Sequence, residues 1–305
     1  MNPARLGAVV VTYHPDAHVG ERLASIKREL QPVLVIDNST DRPAQDHLAR
    51  ICGDVGVEYQ PQATNLGLAA ALNLAFTQLA ARGFDHVVAF DQDSTPGPGF
   101  VAALLRTHAS SARAPAVVGA NWFDEGRPGF DSRHLRPHPR WPLLFTRSAA
   151  TTDLANVTCV ITSGSLFSLA VWRELGGFDD GLFLDLVDTD YCLRARLAGF
   201  EIAVSSAARL AHRRGAKAPV RYVGRTWWPA FMPPFRLRYL WRNRLLVAMR
   251  HGWRCPHWML FELAYATKVV AEIILLEDQK IARLGACGRG TWDGLLGTEG
   301  PIRSG

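Results

Sequence analysis

The chain has 305 residues, 48% of them hydrophobic and 20% charged, with a formal net charge of +6. That balance suits one sizeable buried core with an appendage and excludes a chain disordered throughout. The cysteines, Cys52, Cys159, Cys192, Cys255 and Cys287, are odd in number, widely spaced and never paired as Cys-x-x-Cys, which argues against a disulfide framework or a zinc site and for a reducing cytosol.

The first predicted element is a strand over Leu6–Thr12, too short and too sharply stopped by Tyr13-His14-Pro15-Asp16 to be a signal peptide. A helix is expected over about residues 17–30 and a second strand over 33–36, ending in Asp37-Asn38-Ser39-Thr40. A short third strand, 57–59, precedes Asn65-Leu66-Gly67, and an alanine- and leucine-rich helix over 68–81 feeds a strand over 86–90 that delivers Asp91. This alternation predicts an α/β fold with a doubly wound, mostly parallel central sheet and flanking helices. Asp91 and Asp93, in Phe90-Asp91-Gln92-Asp93-Ser94, leave that sheet at its carboxyl edge, where open α/β folds bind ligands. Their oxygens suit a hard divalent cation, Mg2+ or Mn2+. A turn in which aspartates cap backbone donors explains the pair equally well when it is taken alone.

Asp37 is expected on the same rim, beside Thr12 and Tyr13, with Asn65 and Gly67 forming a tight loop close to a bound group. The rim is nucleotide-sized. No Gly-x-Gly-x-x-Gly follows the first strand and no Gly-x-x-x-x-Gly-Lys occurs, so neither the usual dinucleotide fold nor a P-loop is supported. A cation at Asp91 and Asp93 would bridge diphosphate oxygens instead.

Residues 126–150, with four prolines and mixed charge, read as a long surface loop. Strands are expected over 156–161 and 166–169, around Thr162-Ser163-Gly164-Ser165, and a short helix over 170–175. A second acidic cluster then places Asp185, Asp188 and Asp190 at the start of a helix reaching Ala198. Capping of the first turn accounts for any one of these as well as function does, but three exceed what capping needs.

No acidic residue stands between Glu201 and Glu262, whereas twelve basic residues do, which leaves the rest of the chain with 22 basic against 28 acidic. Such a block implies an anionic partner, whether phosphate groups, a lipid surface or nucleic acid. Interleaved Trp227, Trp228, Phe231, Phe235, Tyr239 and Trp241 favour a membrane interface. A helix is expected over 256–284, its apolar face packing on the domain, joining a dimer or lying on the bilayer. Glu262, Lys268 and Glu272 interrupt it, so a spanning helix is not expected. The glycine-rich tail after Leu284 is expected to fray. The division that results is a catalytic domain over 1–220, a basic aromatic helical extension over 221–284 and a flexible tail over 285–305.

Several of these segments together resemble family 2 glycosyltransferases, and within them the bacterial rhamnosyltransferases that use dTDP-L-rhamnose. The segments are Val10-Val11-Thr12-Tyr13-His14-Pro15, Val35-Ile36-Asp37-Asn38-Ser39, Asn65-Leu66-Gly67, Phe90-Asp91-Gln92-Asp93-Ser94, Ser163-Gly164-Ser165 and Leu182 to Arg194, in the family's order. The resemblance implies a GT-A type nucleotide-diphospho-sugar transferase fold. It places Thr12, Tyr13, Asp37, Asn65, Gly67 and Asp91 at the nucleotide sugar, with Arg194 and Arg242 available to the leaving group. Asp91, Asp93 and His212, in Leu210-Ala211-His212-Arg213-Arg214-Gly215, are implied to hold the divalent metal. Asp188 matches the general base. Many relatives carry an acid directly before it where this chain has Val187, which leaves a share of that role open to Asp185. Ser163, Gly164 and Asp190 are expected at the acceptor.

Transfer of a sugar to a hydroxyl needs a carboxylate not already neutralised by metal, and with no covalent nucleophile standing out, inversion is preferred to double displacement. The expected partners are dTDP-L-rhamnose, a lipid-linked saccharide acceptor and an anionic membrane at the inner face of the plasma membrane, with homo-oligomerisation left open. UDP-galactofuranose is the alternative donor. A nucleic-acid-binding protein using the basic block is the alternative of another class, and it fails to explain acids at successive strand ends.

Overall fold

The computed structural model describes residues 4–111, 113–127, 129–213, 219–229 and 231–302. Arg214, Gly215 and Lys217 of the basic block lie outside the described residues.

β1 (Leu6–Thr12), α1 (Val19–Glu29), β2 (Val33–Asp37), α2 (Arg42–Val55), β3 (Glu58–Pro61), α3 (Gly67–Ala81) and β4 (His86–Asp91) form the expected alternation. α2 was not anticipated, although its ends are encoded locally. Asp41 caps the Ala44 amide at 2.9 Å, and Gly56 closes the helix at a φ of 73°. β5 (Ser94–Pro96), α4 (Phe100–Ser110) and β6 (Pro115–Phe123) follow. Residues 126–150 are not simply a loop, because they contain a hairpin of β7 (Arg133–Pro137) and β8 (Phe145–Ala149). β9 (Ser165–Ser168), α5 (Leu169–Glu174), α6 (Val187–Leu197) and β10 (Glu201–His212) complete the main domain. The strand expected over 156–161 is absent. That stretch runs beside β10 with a single ladder-like bond, Val157 N–H to the Ile202 carbonyl at 3.0 Å.

The eight-stranded sheet has the order β3-β2-β1-β4-β9-β6-β10-β5. β9 is antiparallel to both β4 and β6, and β5 is antiparallel to β10; the other pairings are parallel. The register puts Thr12 opposite Asp37 and Val11 opposite Asp91, so the carboxyl ends of β1, β2 and β4 share one rim. Helices cover both faces, as the fully buried β-branched runs of the central strands require. On one face Phe76, Phe167, Phe178 and Tyr191 form a ring cluster with centroids 4.9 to 5.6 Å apart. Each such pair adds about 0.5–1.5 kcal/mol beyond its buried area. Tyr191 belongs to α6, so this cluster fixes that helix, and Asp188 with it, against the sheet.

A second hairpin, β11 (Val220–Tyr222) and β12 (Arg225–Trp227), precedes α7 (Pro234–Val247), α8 (Pro256–Leu276) and α9 (Lys280–Leu295). The expected fraying after Leu284 is therefore incorrect. Ala286, Gly290 and Gly294 are buried and spaced four apart on one face of α9. A Cβ on Gly294 would stand 2.9 Å from the Arg242 carbonyl, and one on Gly290 would overlap the carbonyl of Arg238. The glycines let α9 lie directly against the α7 backbone, and the Arg238–Asp293 ion pair at 2.6 Å locks that contact. Close packing thus outweighs the roughly 1 kcal/mol that each helical glycine costs. No helix among the described residues is long and apolar enough to cross a membrane.

Candidate active site

β4 ends at Asp91, a two-residue turn carries Asp93, and β5 starts at Ser94 opposite His212 in the antiparallel β5–β10 register. Asp91, Asp93 and His212 can each turn one ligand atom to a common point, all within 4.8 Å of one another. His212 Nδ1 is 3.2 Å from Asp93 Oδ1, so the imidazole lies directly against that carboxylate. Asp93 Oδ1 is buried, makes no hydrogen bond and has the His212 imidazole as its neighbour, which leaves it under-satisfied. Burial pushes the Asp91 carboxyl up, Asp93 adds to that, and His212 and Arg236 oppose it. Two oxygens and an imidazole at a desolvated rim therefore fit a divalent cation of the Mg2+ or Mn2+ class.

Ser163 and Gly164 stand behind this cluster instead of facing an acceptor, and the expectation for them is corrected. Ser163 is fully buried; its Oγ accepts the Asp91 amide at 2.9 Å and donates to Ser94 Oγ at 2.7 Å. Ser94 in turn meets His212 Nδ1 at 2.8 Å. These serines frame the Asp91 backbone and the imidazole as one unit. Gly164, at a φ of 72°, leaves no room for a side chain, because a Cβ there would stand 2.7 Å from Leu210 Cδ2.

The second acidic cluster is split by helix geometry. Asp188 and Asp190 are two positions apart on α6, or about 200° around its axis, so they face opposite ways. Asp188 turns to the rim, where the negative charges of Asp91 and Asp185 reach it. Its Oδ1 accepts the Thr189 amide at 2.7 Å. Burial pushes its carboxyl up to about 6, Asp91 and Asp185 reinforce the shift, and the Thr189 and Thr162 amides oppose it. Thr162 Oγ1, buried and without a hydrogen bond, lies in the same region.

Asp190, expected at the acceptor, lies on the opposite face of α6 from Asp188 and is tied into an ion-paired network. It is 1% exposed and pairs with Arg194 Nε at 2.8 Å and His251 Nε2 at 2.9 Å. Burial pushes its carboxyl up, but His251 and Arg194 outweigh this and hold it below the usual range. Arg194, four residues on and hence on the same helix face, also donates to the carbonyls of Leu175 and Gly177 at 2.7 Å each. Three of its five N–H groups are thus spent on the protein, which fixes the guanidinium beside Asp190. Both side chains line a separate hollow of about 460 Å3 with Asn73, Arg250 and His251.

Asp185 is held by Arg236, whose Nε lies 3.1 Å from both carboxylate oxygens and whose Nη2 lies 2.8 Å from Oδ1. Phe183, Asp185 and Leu186 adopt left-handed φ values of 61°, 56° and 59°, each a costly conformation for a residue with a Cβ. Arg242 and Asn243, both fully buried, hold this loop. Asn243 Nδ2 donates to the carbonyls of Leu182 (2.8 Å), Asp185 (2.9 Å) and Leu184. Arg242 donates to those of Leu182 (2.9 Å), Gly181 (3.2 Å) and Gly300 (2.6 Å). Arg242 is thus a structural clamp and not the nucleotide ligand expected. Sequence reasoning passed over Asn243 and the Arg236–Asp185 pair, for which no local spacing rule exists.

On the nucleotide side, Thr12 and Asp37 are also inward-facing. Asp37, fully buried, accepts from Thr12 Oγ1 (3.0 Å), Ser39 Oγ (2.7 Å), the Ser39 amide (3.1 Å) and Tyr59 OH (2.9 Å). Its Oδ1 takes three of these bonds and its Oδ2 one, so the carboxylate is held rigidly by the protein at the rim. Tyr13 is half-exposed on the rim. The Gln92 side chain brackets its backbone, accepting its amide at 2.7 Å and donating to its carbonyl at 3.2 Å. Asn65 Oδ1 accepts the Gly67 amide at 2.8 Å. The close approach predicted at Gly67 is real, but its partner is Phe183. A Cβ would stand 2.5 Å from that ring and 2.6 Å from its carbonyl.

The family described as Glycosyltransferase like family 2 matches residues 3–228. A dTDP-rhamnosyl transferase, RfbF, of Shigella flexneri is 25% identical over 300 residues, covering 96% of each chain. An N-acetylglucosaminyl-diphospho-decaprenol L-rhamnosyltransferase of Mycobacterium tuberculosis is 25% identical over 236 residues, 68% of this chain and 76% of that one. Among solved structures, S. aureus TarS 1-349 in complex with UDP-GlcNAc superposes with a TM-score of 0.56 at 16% identity, over 94% of this chain and 80% of that one. GalNAc-T7 with UDP, GalNAc and Mn2+ gives 0.58 at 13% identity over 81% of this chain, which spans 48% of that protein. These superpositions share the GT-A fold. With the family match covering most of its length, the chain is a glycosyltransferase and belongs to the family 2-like glycosyltransferases.

Proposed function

We propose that this enzyme moves L-rhamnose from dTDP-L-rhamnose to a hydroxyl of a lipid-linked saccharide, with inversion at the anomeric carbon. The observation that carries the reading is the division of the acids. Asp91 and Asp93 converge with His212, Asp185 is neutralised by Arg236, and Asp188 faces the same rim with no cationic partner among the described residues. A carboxylate so placed, with its pKa raised towards neutrality, is suited to take the acceptor's proton as the hydroxyl attacks. When bound, the divalent cation neutralises the charge that develops on the departing diphosphate. Arg236 adds positive charge close to Asp91 while keeping Asp185 from competing as base. With a single carboxylate in position, one displacement is the simplest path, and it inverts the centre.

The choice of rhamnose rests on the two rhamnosyl-transferring relatives. UDP-galactofuranose remains the competing donor. Nucleoside diphosphate release across a panel of dTDP- and UDP-sugars, with and without chelator, tests the reading. The expected result is preference for dTDP-L-rhamnose, loss of turnover in chelator and loss of turnover in Asp188→Asn. A UDP-sugar used as well as dTDP-L-rhamnose would remove the donor assignment, and full activity of Asp188→Asn would remove the base.

A further inference from the structure

Two apolar surfaces have no partner among the described residues, and they adjoin each other. On the outer face of α8, Met259, Leu260, Leu263, Ile274 and Leu275 are 38 to 65% exposed. At the tip of the β7–β8 hairpin, Trp141, Leu143 and Leu144 are 49 to 66% exposed. Phe145, directly after that tip, packs edge-on against Phe261 of α8 with ring centroids 5.5 Å apart. The tip is an ordered turn. Leu144 N–H donates to the Trp141 carbonyl at 2.8 Å, His138 N–H to the Leu144 carbonyl at 2.9 Å and Trp141 N–H to His138 Nδ1 at 3.2 Å. Its apolar side chains are therefore held outwards by a formed backbone, and an apolar patch of this kind marks an interaction surface.

The charges around the patch identify the partner. The acids within α8, Glu262 and Glu272, and Glu277 just after it turn inwards and meet Arg244 (2.9 Å), Lys268 (2.5 Å) and Arg283 (3.1 Å), whereas Asp278 is exposed beyond the helix end. Between Met259 and Leu275 the exposed charged side chain is Lys268, 53% exposed and paired with Glu272. Trp253, 76% exposed, and Arg254 stand just before the helix. Residues 132–149 contain four arginines and no acid. A second copy docked through the same patch would offer these cations an equally basic surface, since residues 132–149 carry no acid. An anionic bilayer satisfies both halves of the pattern, its acyl boundary taking Trp and Leu and its phosphates taking the arginines and lysine.

We infer that the outer face of α8 and the β7–β8 tip dock the enzyme on a membrane containing anionic phospholipid. This deepens the lipid-linked acceptor reading and rests on it for its purpose, but it does not depend on which sugar is moved. The test is sedimentation of the full chain with phosphatidylcholine vesicles, alone or with about 30% phosphatidylglycerol. Wild type should sediment with the anionic vesicles, release from them as salt rises and leave the neutral ones. Trp141→Ser with Leu143→Ser should bind at least ten-fold more weakly, with nucleoside diphosphate release from soluble donor unchanged. If that pair fails to fold, Leu263→Ser, at a position 65% exposed, carries the same expectation. Wild type that ignores anionic vesicles, or variants that bind as well as wild type, overturn the docking surface while leaving the catalytic reading intact. A dimer in analytical ultracentrifugation that Leu263→Glu dissociates, without vesicle binding, overturns it in favour of a contact between copies. Loss of donor turnover in wild type counts against the catalytic reading alone.

Discussion

Asp188 and Asp190 differ by two positions and by everything that matters chemically. Asp190→Ala would leave Arg194 and His251 without their shared carboxylate, and breaking a buried pair of this kind costs about 3–5 kcal/mol. Thermal unfolding should report that loss, with Mg2+ or Mn2+ binding unchanged by calorimetry. Asp188→Asn should keep its melting temperature and lose about 10²–10⁴-fold in kcat, the usual worth of a positioned general base. Because the Asp188 carboxyl is raised to about 6 and must be deprotonated to act, kcat/KM should fall as pH drops through about 6. A cation on Asp91 removes one of the neighbouring negative charges, which moves that limb to lower pH. A flat profile between pH 5 and 7 would count against Asp188. The spacing of Asp185, Asp188 and Asp190 announced a functional cluster. Sorting them needed the helical period, which also puts Arg194 beside Asp190. The burial of Asp37 had no such signal, because a buried carboxylate and an exposed one look alike at a strand end.

The loop before α6 depends on a helix more than fifty residues away. Asn243→Ala would leave the carbonyls of Leu182, Leu184 and Asp185 without their side-chain donor, and the left-handed conformations at Phe183, Asp185 and Leu186 would relax. We expect a ten- to hundred-fold fall in kcat from misplacement of Asp188, with little change in donor KM and faster amide exchange over 182–186. Unchanged exchange would mean that the loop holds its own shape. In α9, Gly290→Leu would push against the Arg238 carbonyl and cost about 1–3 kcal/mol as an overpacked contact, read as a lower melting temperature. The βα alternation up to β4 was legible because each unit carries its own period. The hairpin at β7–β8 and helix α9 were not. Prolines hid the first, and glycines that look like helix breakers hid the second until their long-range partner, the α7 backbone, was in place.

Across the whole molecule the candidate cation ligands Asp91 and Asp93 are joined by His212 from the last strand of the sheet domain. Mg2+ or Mn2+ at a hundred-fold excess over Kd should stabilise the fold by about 2.7 kcal/mol. His212→Ala should shrink that stabilisation by weakening the site about ten- to hundred-fold, seen as a smaller metal-dependent shift in melting temperature even where no donor is present. An equal shift in wild type and variant would remove His212 from the site. The parallel-sheet architecture and the Asp91–Asp93 edge could be read from the chain in order. The antiparallel insertion of β9 could not, because pairing between distant strands leaves no local pattern.

That insertion and the β5–β10 pairing set when the enzyme can first exist. Ser94 and His212 are 118 residues apart, and β6 and β9 must be in the sheet before β10 can bring its histidine to the rim. On the ribosome, a nascent chain released before β10 emerges would carry the rim and both carboxylates of β4 and its turn, yet lack the imidazole that closes the cation site. Any cation these three residues hold would therefore be captured only after β10 has paired, at the last stage of folding.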